Sequence, residues 1–242
     1  MGSSRENESS RSESVQVFEG VGSLTLGMAF SEQAYNLVRD AILDGRLVPG
    51  SRLSVPEVAR QLGISRSPAR EAIARVAAEG LAVVEPRRGA VVAWISAESL
   101  CDIYEMREVL EGLACRLAAE LATSVELEEL RVVVAEHRVA VNAGDVAAHV
   151  VLDQRFHLKV RLAARNARLG ESLDRLQSLI RIAMNTTRRS RGGMVEAQAE
   201  HEEILAALLR RDREGSELAG RRHIRRLRAE LGEGSGPRVS VR

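Results

Sequence analysis

Between Ser54 and Ile73, two short runs of apolar residues at helical spacing meet at a single glycine, and this arrangement restricts the local fold more than any other part of the 242-residue chain. Val58 and Leu62 form one inward face, and Ile64, Ala69, Ala72 and Ile73 continue the spacing beyond Gly63. Ala59 is small enough to let a second helix approach closely, and Gly63 permits a tight turn. Ser54 and Glu57 have the S-x-x-E spacing of a capping box for the first of these helices. Ser67 as N-cap and Pro68 at the first helical position predict a sharp start for the second. Upstream, Ala34, Leu37, Val38, Ala41 and Ile42 predict a helix from an N-cap at Ser31 to about Asp44. Downstream, the β-prone runs Leu81–Val84 and Ala90–Val92 flank Pro86-Arg87-Arg88-Gly89, the pattern of a two-stranded hairpin. Helix, helix-turn-helix and hairpin in that order describe a winged helix over residues 30–95.

The same segment places its cations where a duplex could use them. Arg66 and Arg70 are four apart in the first turn of the second helix of the motif, the turn that points into a major groove, and a guanidinium there can bond guanine O6 and N7 together. Ser65 and Ser67 offer hydroxyls to phosphate or base edges. Arg87 and Arg88 at the hairpin tip suit phosphates or a narrow minor groove, and Gly89 allows close backbone approach. Net charge adds little, because residues 30–95 hold nine basic against seven acidic side chains. Placement carries the reading.

Outside this segment the chain is helical in pattern. Residues 1–29 lack any helical or strand period and read as a disordered tail, with residues 233–242 as a flexible one. Residues 96–232 contain six segments with apolar spacings of three and four, roughly 99–122, 125–142, 146–164, 169–188, 194–210 and 214–231. Polar loops this short favour antiparallel neighbours, hence a six-helix bundle, and the fold class is mainly α. The 2% aromatic content agrees with helices more than sheets. Cys101 and Cys115 are too few for a disulfide scaffold or a Cys-rich zinc site. No apolar run approaches bilayer length, which makes a soluble, cytoplasmic protein without membrane contact the default expectation.

Histidines give the bundle a chemistry. Asp153 and His157, four apart, project from one helix face. His201 falls near the start of the fifth segment and His223 within the sixth. Converging, they would form an N3O set for a divalent transition metal. His149 precedes Asp153 by four and is left outside the set, its membership open; His137 is expected to be exposed.

Several motifs carry a resemblance to a known family. Gly50-Ser51-Arg52-Leu53, Leu62 to Ala72 and Glu79-Gly80-Leu81 resemble the DNA-binding domain of GntR-family bacterial transcriptional regulators. Asp153-x-x-Phe156-His157, Glu200-His201-x-x-Ile204-x-x-Ala207-Leu208, Asp212 and His223 resemble the FadR C-terminal ligand-binding domain of one branch, in its six-helix, VanR-type form. The resemblance implies that Arg66 and Arg70 contact operator DNA and that Gly89 is the wing glycine. It departs at Pro56, where some members carry a DNA-contacting arginine. It further implies Asp153, His157, His201 and His223 as ligands of a metal, zinc first with nickel or manganese as alternatives. Arg107 matches the family's arginine on the first helix of the body and would pair with a small organic acid effector. The same Arg107 is spaced to pair with Glu111 at i+4. Asn185 is a second effector contact, with Arg181 as its alternative. The expectation is a metabolite-responsive regulator, a repressor before an activator, that binds a pseudo-palindromic operator as a homodimer. The competing readings are a metal-dependent hydrolase and a DNA-binding protein without effector. Against catalysis, Leu205 stands where the zincin pattern begun by His201-Glu202 requires histidine.

Overall fold

The computed structural model describes residues 18, 29–85, 89–186 and 193–233, without the side chains of residues 185, 186, 232 and 233. The chain divides into two compact units, Met1–Val92 and Ala93–Arg242.

The first unit runs α1 (Phe30–Leu43), β1 (Arg52–Leu53), α2 (Val55–Leu62), α3 (Arg66–Ala78), β2 (Ala82–Glu85) and β3 (Gly89–Val92). Ala34, Val38, Ala41 and Ile42 of α1 are buried, as are Ala69, Ala72, Ile73 and Val76 of α3, and the alanines allow these two helices to pack closely. Across that contact the Arg75 guanidinium lies 4.0 Å over the Tyr35 ring and donates to Glu32, while the Tyr35 hydroxyl donates to Glu79. Gly63 ends α2 at φ +66, a left-handed position that favours glycine. The wing is one strand larger than the sequence predicts. β3 is central and antiparallel to both neighbours, in the order β1-β3-β2, with Arg52 opposite Val91 and Glu85 opposite Gly89.

Two helix starts and one cap differ from expectation. α1 begins at Phe30, because the Ala29 carbonyl accepts from the amides of Glu32 and Gln33 and puts Ser31 inside the first turn. Ser54 does precede α2, but its side chain makes no cap bond; Arg60 and Gln61 take the Glu57 carboxylate instead. α3 begins at Arg66 with Ser65 as N-cap, so Ser67 and Pro68 lie within its first turn. Proline suits any of those positions, since the N–H it lacks would be unpaired there anyway.

The second unit is six helices: α4 (Ala97–Leu121), α5 (Ser124–Asn142), α6 (Val146–Ala163), α7 (Ala167–Thr186), α8 (Met194–Leu209) and α9 (Arg213–Glu233). Side chains set several of the starts. Ser96 accepts from the Ser99 amide, Thr123 and Glu126 form a complete capping box, and Asp145 accepts from the Ala148 amide. α4 and α9 make the most extensive pair, and a β-carbon on Gly220 would meet Cys115 Sγ at 2.7 Å, which explains the missing side chain there. Leu127, Leu130, Phe156, Val160, Leu173, Ile204 and Leu208 belong to one apolar cluster; Leu100, Ile103, Tyr104, Ile180 and Ile224 belong to another. Alongside these the interior buries Arg107, Glu111, His137, His157, Arg161, Gln198, His201 and His223. Buried polar groups on this scale need partners, and their partners define the site. Among the described residues no helix is long and apolar enough to cross a membrane.

Candidate metal centre and nucleic-acid interface

Inside the second unit, Asp153 and His157 of α6 share a face, His201 comes from α8 and His223 from α9. One donor atom from each lies within 4.8 Å of the others. His157 Nε2 and His223 Nε2 are 3.2 Å apart, and His201 Nε2 is 3.6 Å from Asp153 Oδ1. Donors that share one ion at bond lengths of about 2.0–2.2 Å sit roughly 3–4.4 Å apart, so these spacings need little adjustment. All three histidines are buried and Asp153 is half-buried, leaving the carboxylate side of the cluster the more open.

The rings are turned by what holds their other nitrogens. His223 Nδ1 is 2.7 Å from Glu200 Oε2, and Arg226 donates to the other oxygen of that carboxylate. His157 Nδ1 is 3.4 Å from Glu111 Oε2, while Arg107 donates to Glu111 Oε1 at 3.0 Å. Arg161 donates to the His157 carbonyl and to Asp174, fixing the backbone of α6 at that turn. Phe156 stacks on the His201 ring at 4.1 Å. An ionised carboxylate only accepts, so Glu200 makes His223 a donor at Nδ1 and leaves a lone pair at Nε2 facing the cluster. His201 Nε2 is buried and has no hydrogen-bond partner among the described residues. An orphaned imidazole nitrogen beside a carboxylate and two further imidazoles fits a divalent transition ion.

Electrostatics favour the ligating form of these groups. Burial, followed by the neighbouring histidines, holds His201 well below the usual imidazole range. His223 is lowered too, by burial, although Glu200 pulls it upward. Burial pushes the Glu200 carboxyl up, but His223 and Arg226 bring it below the usual range. Glu111 is likewise pushed up by burial and brought far down by His157, then Arg107. A histidine whose folded pKa is depressed refuses a proton that the unfolded chain accepts below about pH 6.5. Metal-free protein should therefore be fully stabilised by its neutral His201 and His223 above that pH and lose stability as pH falls below it. Urea unfolding at pH 7.5 and 5.5 measures it, and equal midpoints would contradict the neutral, buried assignment.

The structure thus brings all four expected ligands together. It corrects His137, which is fully buried rather than exposed: α5 turns it inward, where its Nε2 lies 2.6 Å from His149 Nδ1. Spacing already pointed that way, since Leu130, Val134 and His137 follow one inward face of α5. Glu111, Arg161 and Glu200 are supporting residues that the sequence reading missed. Glu200 adjoins His201 in sequence yet serves His223 on another helix, a relation no spacing rule contains. Arg107 forms the i+4 ion pair with Glu111, and its Nε is buried without a hydrogen-bond partner. The Asn185 side chain lies outside the described residues.

On the first unit, Ser65, Arg66, Ser67 and Arg70 are all exposed at the start of α3. Arg60 and Arg75 are engaged by Glu57 and Glu32. Among the described residues neither Arg66 nor Arg70 has an ion-pair partner, so both guanidinium groups are available. Arg52, on β1 beside the central wing strand, is exposed in the same way and was not among the expected contacts. Gly89 opens β3 at φ +79; Arg87 and Arg88 lie outside the described residues.

Known proteins share both units. Residues 30–92 match the family model described as bacterial regulatory proteins, gntR family, and residues 102–226 match the FCD domain. The chain is 30% identical over 196 residues to a probable D-xylose utilization operon transcriptional repressor of Paenarthrobacter nicotinovorans, covering 80% of this chain and 85% of that one. It is 27% identical over 199 residues to the HTH-type transcriptional repressor RspR of Escherichia coli, covering 81% and 86%. The solved structure of Escherichia coli McbR/YncC superposes with a TM-score of 0.68 at 25% identity, over 85% of this chain and 98% of the other.

Proposed function

Since the chain belongs to the gntR family of bacterial regulatory proteins, with an FCD domain following its DNA-binding domain, we propose that this transcriptional regulator is a homodimeric repressor whose grip on its operator is set by a small carboxylate held at a divalent ion. It is a regulator and not an enzyme, as its family and relatives are. Two winged helices on a two-fold axis read a pseudo-palindromic operator in adjacent major grooves. Arg66 and Arg70 bond base edges and phosphate, Ser65 and Ser67 the backbone, and Arg87, Arg88 and Gly89 follow the adjoining groove.

The observation that carries the effector reading is the convergence of Asp153, His157, His201 and His223 with one buried imidazole nitrogen unpartnered. These four residues would hold the ion, zinc in preference to nickel or manganese. When bound, such an ion offers a carboxylate a direct coordination position. Glu111 and Glu200 orient His157 and His223; Arg107, one residue removed from the centre through Glu111, has an unused buried Nε to offer the acid. Asn185 is assigned a second contact. A coupling of about 1–3 kcal/mol between acid and operator corresponds to a roughly 5–150-fold change in affinity.

Thermal melting with a panel of small mono- and dicarboxylates tests this reading. At least one acid should raise the melting temperature of zinc-loaded protein, through mass action, and have no such effect on chelator-stripped protein. Equal shifts with and without zinc would remove the ion from effector binding.

A further inference from the structure

Two histidines beyond the four-residue cluster remain unexplained. His137 Nδ1 lies 3.3 Å from His201 Nδ1, and His137 Nε2 lies 2.6 Å from His149 Nδ1. The His137 ring stacks on His149 at 4.8 Å and tilts against His201 at 5.3 Å. His137 and His201 are fully buried, whereas His149 is half-buried near the start of α6. A chain of three imidazoles therefore runs outward from the cluster through α8, α5 and the first turns of α6. Burying the polar ring of His137 costs free energy unless both nitrogens are used, so an apolar residue would pack there at lower cost.

We infer that His137 and His149 are positioning residues for the metal centre, forming an imidazole relay that fixes the tautomer and the orientation of His201. The inference rests on the four-ligand reading of Asp153, His157, His201 and His223. Its direction follows from proton counting. If Nε2 of neutral His201 faces an ion, its single proton is on Nδ1, which donates to His137 Nδ1. His137 then carries its proton on Nε2 and donates to His149 Nδ1. His149 in turn carries its own on Nε2. One ligation event thus selects one tautomer at three successive rings. Ligating histidines usually donate their second nitrogen to a carboxylate, a carbonyl or water, and removing such a partner typically costs about 10–100-fold in metal affinity. Here Glu200 plays that part for His223, Glu111 faces His157, and a neutral imidazole plays it for His201.

Zinc affinity by competition with a chromophoric chelator, measured on the full chain at one pH, tests the relay together with melting of the zinc-loaded and metal-free forms. His137→Phe keeps a ring but no acceptor, and is expected to bind zinc about 10–100-fold more weakly. His137→Asn restores an acceptor near the Nδ1 position and should recover most of that affinity. The zinc-induced rise in melting temperature should shrink in the phenylalanine variant, beyond any change in the metal-free form. A purely structural role would move both forms together. If His137→Phe does not fold, nitrogen-15 spectra of zinc-loaded wild-type protein decide, since they should show the Nδ1–H tautomer at His201 and the Nε2–H tautomer at His137. Wild-type zinc affinity in folded His137→Phe, or the opposite tautomer at His137, would overturn the relay and leave the four-ligand site standing. Absence of zinc binding by wild-type protein would overturn the ligand reading, and the relay with it.

Discussion

Replacing His201 by alanine should empty the second unit of zinc. The wild-type chain is expected to purify or reconstitute with about one ion per chain, and the variant with almost none at the same free zinc concentration. Apparent free energies of about 10–16 kcal/mol for four-ligand zinc sites divide into roughly 3 kcal/mol per ligand, so losing one costs on the order of a hundredfold or more in affinity. His201, with His223, is the most deeply buried of the four. Its ring is fully buried against Phe156 and His137, and its Nε2 has no hydrogen-bond partner among the described residues. The side chains around the vacated volume are Phe156, His137, His157 and His223, each held by its own packing or hydrogen bonds. Operator affinity without effector should survive, because the proposed DNA contacts belong to another compact unit. Elemental analysis measures the ion, and circular dichroism establishes that the variant folds. A folded His201→Ala protein at full zinc occupancy would take His201 out of the centre.

The second large effect belongs to the recognition helix. Arg66→Ala and Arg70→Ala should each weaken operator binding by about 1–3 kcal/mol per half-site, and the proposed dimer would contribute two half-sites to the measured affinity. The combined loss on an intact operator is then about 2–6 kcal/mol, from roughly thirtyfold to roughly ten-thousandfold or more. Folding should be unaffected, since both side chains are exposed and neither has an ion-pair partner among the described residues. Arg60→Ala provides the contrast. It removes a cation from the same motif, but one already engaged by Glu57 and therefore expected to contribute little to the duplex. Fluorescence anisotropy on one operator duplex at fixed salt compares the three, and the salt must be held constant because phosphate contacts scale with it. Wild-type affinity in both α3 variants would assign recognition to another element.

Much of this architecture is legible in the residues alone, for identifiable reasons. Apolar spacing of three and four over long segments places six helices in the second unit, and the polar breaks at Thr123-Ser124, Asn142–Gly144 and Asp212 fall at their ends. Starts are harder to read. A serine at a candidate N-cap competes with any nearby carbonyl that can close the first turn, as the Ala29 carbonyl does for α1, and at α3 the cap falls on Ser65 two residues before Ser67. β1 is two residues long, too short for alternation to register, and exists through its pairing with β3. Asp153 and His157 are readable because i, i+4 shares a face. Glu111 and Glu200 are not, because each supports a histidine on a different helix. His137 shows the intermediate case: its inward spacing with Leu130 and Val134 is present in α5, but only the packing of α5 on α6 and α8 brings it to His149 and His201.

Operator titration of the zinc-loaded and chelator-stripped forms, each with and without a saturating small carboxylate, probes the link between ion and duplex most directly. The expected result is an acid-dependent shift of roughly 5–150-fold in operator affinity that is present with zinc and absent without it. An equal shift in the stripped protein, or none for any acid in fully zinc-loaded protein, would contradict control of the DNA-binding unit through the Asp153, His157, His201 and His223 centre.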